Sequence, residues 1–358
     1  MRSLPLFLWE REYLSFPLSN CGVQCVRGHT GSREVCALSL TEVFRVTGRT
    51  NVEYGCVTGA PHVAGPVEWG NMDQELREIV ESMRSTQDRD ISVYDERFLG
   101  ETVKKRRALA NCRSAADYAA LLCRSSDEAA GLYAALNNFH SAFFRDPLTF
   151  ALLEQLILPS IRARKTADGG QEIRVWSAGC ACGEEAYSLA VLLDDMVRAH
   201  GGQLSYRIFA TDLSEANLAR ARHGTYRTDS LQEVRQKHMR DYFTLSGDGW
   251  RIDARLRDRV AFSHYDLLDE RTSSPPPSVF GEFDLIMCGN LLLYYRQEVQ
   301  QSILGKLSLA LAPHGFLATG EAERSTVAHY GAFRAVAPLA ALFRKRPTLP
   351  AGLEPLCP

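Results

Sequence analysis

Apolar residues recur with a helical period from about residue 73, after a leader that shows no sustained pattern. In the segment "DQELREIVESMR" they fall on one face, at Leu76, Ile79, Val80 and Met83. The segments "DERFLGETVKKRRALA", "SAADYAALLC" and "SDEAAGLYAALNNF" show similar patterns and complete a set of four or five short helices. The predicted N-caps are Asn71 or Asp73, Ser114, and Ser126 or Asp127. This pattern predicts a small N-terminal all-helical domain over residues 72–139.

From about residue 147 the pattern changes, and short apolar runs alternate with amphipathic segments. The runs "EIRVWSAG", "LSYRIFATDL", "VAFSHYDLL" and "GFLATGE", and the start of "FDLIMCGNLLLYY", predict strands. The segments "PLTFALLEQLILPSI", "GEEAYSLAVLLDDMVRAH", "SEANLARARHG" and "QEVQQSILGKLSLAL" predict helices, and "RKTADGGQ" predicts a loop. This alternation indicates an α/β domain over residues 140–346, with a parallel sheet covered by helices on both faces. Ligands of such sheets bind at the carboxyl ends of the strands, which selects the loops at 177–185, 210–213, 265–268 and 288–295.

Three parts of the chain depart from these patterns. Residues 225–262 contain "YFTLSGDGWRID", which predicts a β-hairpin around a Gly-Asp-Gly turn and hence a small β-subdomain. Residues 1–71 are rich in glycine and other structure breakers. We expect them to form an irregular extension, either poorly ordered or the product of a wrongly chosen start codon, with Met72 as the alternative start. Residues 347–358 are expected to be a tail.

Composition and charge exclude several classes of protein. The 358 residues carry a net charge of −2, which gives no general reason to expect nucleic-acid binding. No apolar stretch is long enough to span a bilayer, so we expect no direct membrane insertion. The ten cysteines include no CxxC pair, which favours reduced thiols in a cytoplasmic protein. Cys21, Cys25, His29 and Cys36 lack the spacing of common zinc ligands, and no metal is predicted.

The chemistry of the chain is concentrated where the first predicted strand ends, in "SAGCACGEE". The small residues Gly179, Ala181 and Gly183 let the backbone approach a ligand closely, and the amides at the start of the next helix then face it. Asp212 ends the second predicted strand, where α/β nucleotide-binding folds place a carboxylate on ribose hydroxyls. The alternative is a tight strand-to-helix turn that binds no ligand.

The two glutamates after the turn narrow the choice of ligand. Glu184 and Glu185 occupy the first helical turn, where the helix dipole favours their charge. The same charges would oppose a pyrophosphate at this helix end. A ligand with a ribose and no phosphates therefore fits best, and S-adenosylmethionine is the common one, with a sulfonium and an amine that tolerate acidic neighbours.

Five separated blocks resemble the chemotaxis receptor methyltransferase family, CheR, in family order and with similar gaps. The blocks are "FFRDP" (143–147), "WSAGCACGEEAYSLA" (176–190), "FATDLSEANLARARHGTY" (209–226), "FDLIMCGNLLLYY" (283–295) and "LALAPHGFLATGEAE" (309–323). With the preceding helices the resemblance covers about 72–345. It implies a Rossmann-like methyltransferase sheet. It also implies an enzyme that uses S-adenosylmethionine to convert glutamate side chains on receptor cytoplasmic helices into methyl esters.

The resemblance also implies roles for individual residues. Ser141 and Arg145 are expected at the methionine end of the cofactor, and Glu185 and Asp212 at its amino-acid and ribose portions. The remaining members of the expected cofactor site are Gly179 in the turn after the first strand, Asp266 and Leu267 against the adenine, and Gly289 with Asn290 in the loop after the fourth strand. Arg145 and Tyr294 are expected to border the methyl-transfer centre. Read alone, Arg145 fits a surface ion pair and Tyr294 a half-buried packing residue.

Four positions depart from the family pattern. Phe139 stands where asparagine is usual, with Asn138 beside it, and Asp266 also replaces an asparagine. Gly289 replaces an arginine, and Glu321 with Ala322 replaces a His-Ser pair. The last two departures bear on substrate preference and turnover more than on cofactor binding. The family's β-subdomain grips a receptor C-terminal peptide in some members, and the short hairpin here predicts that this tethering is absent.

The partner expected from the resemblance is a helical, acidic receptor region, while this chain has no net positive charge. The basic run Lys104, Lys105, Arg106 and Arg107 is the best candidate for a docking patch, and a solvated helix face is the alternative. We expect a monomer. Two other functions stay open from the sequence: a methyltransferase with another substrate, and a cofactor-binding regulatory module without turnover.

Overall fold

The structure, a computed structural model, describes residues 72–137, 141–247, 249–278 and 282–347. These residues belong to one compact unit. The predictions for residues 1–71 and 348–358 lie outside the described residues, as do those for Asn138 and Phe139. None of the helices in the described ranges combines the length and the apolar character that a transmembrane span requires.

The helices and strands follow one another along the described residues much as the sequence predicts. The α-helices are α1 (Gln74–Gln87), α2 (Glu96–Leu109), α3 (Ala115–Arg124), α4 (Ser126–Leu136), α5 (Pro147–Leu152), α6 (Leu158–Ala167), α7 (Glu184–Ala199), α8 (Glu215–His223), α9 (Gln236–Tyr242), α10 (Ala254–Arg257), α11 (Gln297–Ala310) and α12 (Arg324–His329). The strands are β1 (Glu172–Ala178), β2 (Ser205–Asp212), β3 (Thr225–Tyr226), β4 (Phe243–Ser246), β5 (Gly249–Ile252), β6 (Val260–His264), β7 (Phe283–Cys288), β8 (Leu311–Thr319), β9 (Phe333–Ala335) and β10 (Leu342–Lys345).

The first four helices confirm the predicted helical segment. Asp73 caps α1 and Ser114 caps α3, because their side chains accept hydrogen bonds from otherwise unpaired first-turn amides. The predicted cap of α4 is wrong by one residue. Ser125, rather than Ser126 or Asp127, accepts the first-turn amide there, since it already has extended backbone geometry where α3 ends.

The helix predicted from residue 147 runs further than expected. It contains a π-helical turn over Leu153–Ile157 between α5 and α6. The loop predicted from Arg164 is wrong at its start, because α6 continues to Ala167. Lysine and arginine in that last turn suit the negative end of the helix dipole.

The main sheet has seven strands in the order β6-β2-β1-β7-β8-β10-β9. The five strands from β6 to β8 are parallel, and β10 is antiparallel to both of its neighbours. The predicted strands form this parallel part and confirm the α/β fold. The strands β9 and β10 were not predicted, because runs of 3 and 4 residues are too short to show a period.

Helices cover both faces of the sheet, and two hydrophobic cores result. The side chains of β1 point alternately to the two faces of the sheet. On one face, Ile173 and Val175 pack with residues of α6 and α7. On the other face, Trp176 and Ala178 pack with residues of α1–α4 and α11. The four N-terminal helices therefore share one core with the sheet. The boundary between residues 139 and 140 stays a prediction.

The order of the strands creates a crevice at one point of the sheet edge. From β1 the chain continues to β2 on one side, and it later returns to β7 on the other side of β1. Ligands of open α/β sheets bind at such a switch point, outside the carboxyl ends of the strands. The turn after β1 and the loop after β7 meet there, beside the end of β2.

The predicted hairpin is present as β4 and β5, which pair from Phe243–Ile252 to Ser246–Gly249. Its turn contains Gly247 with φ of +60°, a conformation that glycine adopts readily. The structure adds β3 as a third strand, paired with β5. Residues 225–262 thus contain a small three-stranded sheet, which confirms the predicted β-subdomain.

Candidate active site

The turn after β1 is held against the end of β2. The amides of Gly179 and Cys180 both donate to the carbonyl of Thr211, each at 2.8 Å. Gly179 has φ of +76°, and a Cβ there would lie 3.0 Å from a side-chain carbon of Leu291. Glycine is thus required both for this backbone conformation and for the close approach of the loop after β7.

Asp212, the last residue of β2, is hydrogen-bonded both to the turn after β1 and to the start of α8. It is buried, with 7% of its surface exposed. One carboxylate oxygen accepts from the Ala181 amide at 2.9 Å, and the other accepts from the Ser214 amide at 2.8 Å. Burial raises the pKa of Asp212, although these bonds act in the opposite direction. The side chain predicted to hold a ribose therefore also shapes the turn beside it.

Glu185 lies in the first turn of α7 and points to the loop after β7. Its Oε1 accepts from the Ser177 hydroxyl at 2.6 Å, and its Oε2 accepts from the Gly289 amide at 3.2 Å. The pKa of Glu185 is raised to about 8, chiefly by burial and to a smaller extent by the nearby carboxyls of Glu323 and Asp146. A Cβ at position 289 would lie 2.7 Å from Oε2. The glycine found where the family has arginine thus leaves room for this carboxyl.

Glu184, the preceding residue, is more deeply buried than the sequence predicts. It is 6% exposed, and burial raises its pKa to about 7. Ser141 donates a hydrogen bond to it and lowers the pKa. Its Oε2 has no hydrogen-bond partner among the described residues. A buried carboxyl oxygen without a partner costs free energy, in line with the raised pKa, and Glu184 itself is not among the residues that line either cleft.

The loop after β7 depends on a residue that the sequence analysis did not single out. Glu323 is 1% exposed, and its Oε2 accepts from the amides of Asn290 at 2.9 Å and Gly320 at 2.7 Å. Asn290 itself has φ of +56°. Burial raises the pKa of Glu323 to about 7. The only sequence signal for this role is its place at the end of the block "GEAE".

Two neighbouring clefts at this edge share Gly179 and Leu291. The first cleft encloses about 500 Å³ of partly open space. Its lining includes five predicted site residues besides Gly179: Ser141, Arg145, Glu185, Gly289 and Asn290. The second cleft, of about 380 Å³, is lined by the other three, Asp212, Asp266 and Leu267, together with Asn137, Tyr265 and Tyr295. All nine residues predicted for the cofactor thus lie on one continuous surface.

The two predicted catalytic residues have different positions. Arg145 is exposed and lines the first cleft, beside Asp146. Tyr294 is partly buried in a short 3₁₀ helix directly after the loop, and its ring lies 4.7 Å from that of Phe98. It is not among the residues that line either cleft. Its role stays a prediction, and Tyr295 rather than Tyr294 lines the second cleft.

Asp266 and Asn137 complete the second cleft from different parts of the chain. Asp266 accepts from the Leu268 amide at 2.8 Å, which fixes its carboxylate in the loop after β6. Asn137 follows α4 and accepts from the Tyr94 hydroxyl at 2.8 Å. The N-terminal helices therefore contribute a wall of the cleft, which no motif in the sequence indicated.

The basic run of α2 does not present four equivalent charges. Lys104 and Lys105 are exposed. Arg106 forms a two-bond pair with Glu128, at 3.1 and 2.7 Å, and Arg107 lies 3.6 Å from Glu75. The pair between α2 and α4 gives Arg106 a structural role. The docking role of the run stays a prediction, and Lys104 and Lys105 are its exposed members.

Comparison with known proteins agrees with this geometry. Residues 139–337 match the family described as "CheR methyltransferase, SAM binding domain". The chain is 35% identical over 193 residues to "Chemotaxis protein methyltransferase 1" of Pseudomonas aeruginosa, covering 53% of this chain and 67% of that one. It is 34% identical over 184 residues to "Chemotaxis protein methyltransferase" of Listeria innocua, covering 51% and 64%. The solved magnesium protoporphyrin IX methyltransferase of Synechocystis with bound SAM has a TM-score of only 0.28, at 17% identity over 53% of this chain and 77% of that one.

The α/β sheet, the clefts at its switch point and the matched domain define an S-adenosylmethionine-dependent methyltransferase. Its cofactor is S-adenosylmethionine, as the turn after β1 and the neighbouring carboxylates predicted. The chain belongs to the CheR methyltransferase family.

Proposed function

We propose that this enzyme methylates glutamate side chains on the cytoplasmic helices of chemoreceptors. The observation that carries the proposal is the continuous surface formed by the two clefts, on which the residues expected from the family lie together. The names of the relatives support a chemotaxis substrate. The cofactor fits the site, because the clefts offer the carboxylates of Glu185, Asp212 and Asp266 where ribose hydroxyls and an amine would need partners.

The two clefts suit the two ends of the cofactor. The second cleft, with Asp212 and Asp266, would hold the ribose and the adenine. The first cleft, with Glu185, would hold the amino-acid portion. A bound cofactor supplies a methyl group on a sulfonium sulfur, which an oxygen nucleophile attacks directly. Gly179, shared by both clefts, allows the backbone to lie close to the ligand at the junction.

The substrate needs little activation. A glutamate carboxylate is ionised at neutral pH, since its ordinary pKa is about 4.3, and no base has to remove a proton. The enzyme must hold the carboxylate oxygen in line and exclude water. Arg145, exposed at the first cleft, is suited to hold a carboxylate because a guanidinium pairs with it through two parallel hydrogen bonds. We propose that Tyr294 orients the same carboxylate through its hydroxyl.

A labelled cofactor and a receptor cytoplasmic fragment test this function. We expect the wild-type chain to transfer base-labile methyl label to the fragment, since methyl esters hydrolyse in base. Arg145→Ala and Tyr294→Phe should each lower the transfer rate at least about tenfold with an unchanged melting temperature, because the positioning contacts are lost.

The other outcomes separate the alternatives. Label on a different protein or on a base-stable group would assign another substrate. Cofactor binding without any transfer would indicate a regulatory module. Wild-type rates in both variants would remove Arg145 and Tyr294 from the reaction.

A further inference from the structure

The last part of the chain carries positive charge that the proposed methyl transfer does not use. Residues 324–353 contain five arginines or lysines and no aspartate or glutamate, in a chain whose net charge is −2. A local excess of one sign of charge attracts a partner of the opposite sign. The strands β9 and β10 and the loop between them lie within this stretch.

Two of these arginines stand directly opposite each other. Arg334 of β9 pairs with Arg344 of β10 in the antiparallel register, and both residues are exposed. Like charges in such a cross-strand pair are destabilising, because the two Cβ atoms are only about 5 Å apart. Arg344 lies over the ring of Phe316, at 5.8 Å, but neither guanidinium forms an ion pair with a carboxylate of the described residues. An acidic partner would relieve this repulsion.

The arginine pair lies on the face of the sheet that α5 covers. Side chains two positions apart along a strand point to the same face, so Arg344 shares a face with Leu342. Leu342 belongs to the hydrophobic core that contains Phe150 of α5. Because Phe150 also lines the first cleft, the arginine pair and this wall of the cleft are on the same side of the sheet.

The loop between β9 and β10 brings apolar side chains to the carboxyl edge of the parallel strands. The amide of Thr319, the last residue of β8, donates to the carbonyl of Ala341 at 2.9 Å, so this loop lies beside the end of β8. Val336 and Leu339 in the loop are 39% and 73% exposed. Protein-binding surfaces commonly combine exposed apolar side chains with a polar or charged rim.

Side-chain contacts hold this loop beside the first cleft. Arg324 donates to the carbonyl of Pro338 at 2.6 Å, and its Nε lies 3.3 Å from Oε1 of Glu321. Glu321 and Glu323 belong to the same short 3₁₀ helix after β8. Glu323 in turn binds the amide of Asn290, which lines the first cleft. A partner that docks on the loop therefore lies near the cleft at which the substrate carboxylate would be held.

We propose that Arg334, Val336, Leu339 and Arg344 form a docking surface, the β9–β10 surface, for the acidic receptor helix that presents the substrate glutamate. This inference rests on the proposed function. Acidic side chains of the helix pair with the two arginines, and its apolar side chains contact Val336 and Leu339. A helix that carries both kinds of side chain matches the whole surface, whereas a small anion would use only the arginines.

A double variant, Arg334→Gln with Arg344→Gln, tests the charged half of the surface. It should raise the KM for a receptor fragment at least about fivefold at low salt and less at high salt. The kcat and the cofactor Kd should be unchanged, since neither arginine lines a cleft. The melting temperature should not fall, because a like-charge pair is removed. Arg113→Gln with Arg124→Gln removes the same charge from exposed positions on the N-terminal helices and should leave KM unchanged.

Leu339→Ser tests the apolar half of the surface. It should raise the same KM about threefold without altering its salt dependence, because no charge is changed. Leu309→Ser is the matched control, since Leu309 is 76% exposed near the end of α11, beside the start of β8 and hence at the opposite edge of the sheet. This control should leave KM unchanged.

Binding of the fragment, measured by calorimetry, separates this proposal from the proposed function. Weaker binding by the double arginine variant, with no methyl transfer by the wild type, would support the β9–β10 surface and overturn the proposed function. Methyl transfer by the wild type with the same KM in the double variant would overturn the surface alone. An equal rise in KM in the Arg113 and Arg124 control would also overturn it, because net charge would then be sufficient. No binding by the wild type would overturn both proposals.

Discussion

At the residue scale, burial raises the pKa of several carboxyls at the clefts or next to them: Asp146, Glu184, Glu185, Asp212 and Glu323. Burying an ionised carboxyl without a counter-charge is unfavourable. Asp212 and Glu323 are partly compensated by backbone amides. A ligand with a sulfonium and an amine would provide positive charge beside Glu185, which lines the first cleft.

Asp212 is best tested with asparagine. Alanine would also remove the bonds to the Ala181 and Ser214 amides, so lost binding would not separate the ribose contact from the shape of the turn. Asp212→Asn keeps the size and one of the two acceptors, but its NH2 group faces the Ala181 or the Ser214 amide, so the melting temperature of the variant is measured as well. It should weaken cofactor binding by about 1.5–3 kcal/mol because charge-assisted bonds are lost. Calorimetry with the demethylated cofactor measures this, with the exposed Asp258→Asn as control. Unchanged affinity in a folded Asp212→Asn protein would remove the ribose assignment.

The raised pKa of Glu185 predicts that the change Glu185→Gln has opposite effects on the stability of the protein and on cofactor binding. A carboxyl whose pKa is raised on folding binds more protons when folded, so its stabilising contribution is complete below about pH 4.5 and is lost as the pH rises through about 8. Cofactor-free Glu185→Gln should therefore melt at a higher temperature than wild type at pH 8 and at a similar temperature at pH 5.

The same variant should bind the cofactor about tenfold more weakly at pH 8, because the charged partner of its amino-acid portion is gone. In the wild-type protein, affinity should rise from pH 6 to pH 8 as Glu185 ionises, and this rise should be smaller in Glu185→Gln. Thermal unfolding and calorimetry across this range measure both effects. A parallel pH dependence in the two proteins would assign the titration to another group.

At the scale of the secondary-structure elements, the shape of the clefts depends on close contacts between loops. A Cβ on Gly320 would lie 2.5 Å from Nδ2 and 2.9 Å from the backbone nitrogen of Asn290. Because backbone cannot move aside as a flexible side chain does, Gly320→Ala should displace the loop after β7. We expect a loss of about 1–3 kcal/mol in stability and at least about tenfold weaker cofactor binding.

Gly331 provides the matched control for this prediction, because a Cβ there meets nothing within 4 Å. Gly331→Ala should leave stability and cofactor affinity unchanged in the same unfolding and calorimetry experiments. Wild-type cofactor affinity in Gly320→Ala would show that the contact between the two loops does not position Asn290.

Charge at the scale of the whole molecule offers little attraction for an acidic receptor, since the net charge is −2. Local attraction must come from exposed groups such as Lys104 and Lys105. Lys104→Gln with Lys105→Gln should weaken binding of a receptor fragment several-fold at low salt and reduce its salt dependence. The bonds from Arg106 to Glu128 argue against neutralising all four positions, because that would leave the partly buried carboxylate of Glu128 without its counter-charge.

A double variant of Arg113 and Arg124 to glutamine is the control for the lysines. It removes the same charge from exposed positions elsewhere on the N-terminal helices. Cofactor affinity should be unchanged in both proteins, since neither pair lines a cleft. Equal receptor affinities for the lysine variant and wild type at both salt concentrations would leave α2 as a solvated helix face.

The sequence by itself determined the elements and the chemistry that depends on local order. Periodicity predicted the N-terminal helices and the parallel strands, since each pattern reflects which face of an element is buried. The turn after β1 was predicted from Gly179, Ala181 and Gly183, because small residues directly after a strand let the backbone approach a ligand closely. Asp212 followed from its place at a strand end. The resemblance to the family suggested the other residues expected at the cofactor.

Only the tertiary structure decided which distant residues meet. Glu323 follows β8, yet it holds the amide of Asn290 after β7, a contact between residues 33 positions apart that no local pattern encodes. Asn137 reaches the second cleft because the N-terminal helices share a core with the sheet. Arg106, predicted within a docking patch, forms an ion pair with Glu128 on a neighbouring helix. Each of these contacts depends on packing between elements, and packing joins residues by shape and burial rather than by their order along the chain.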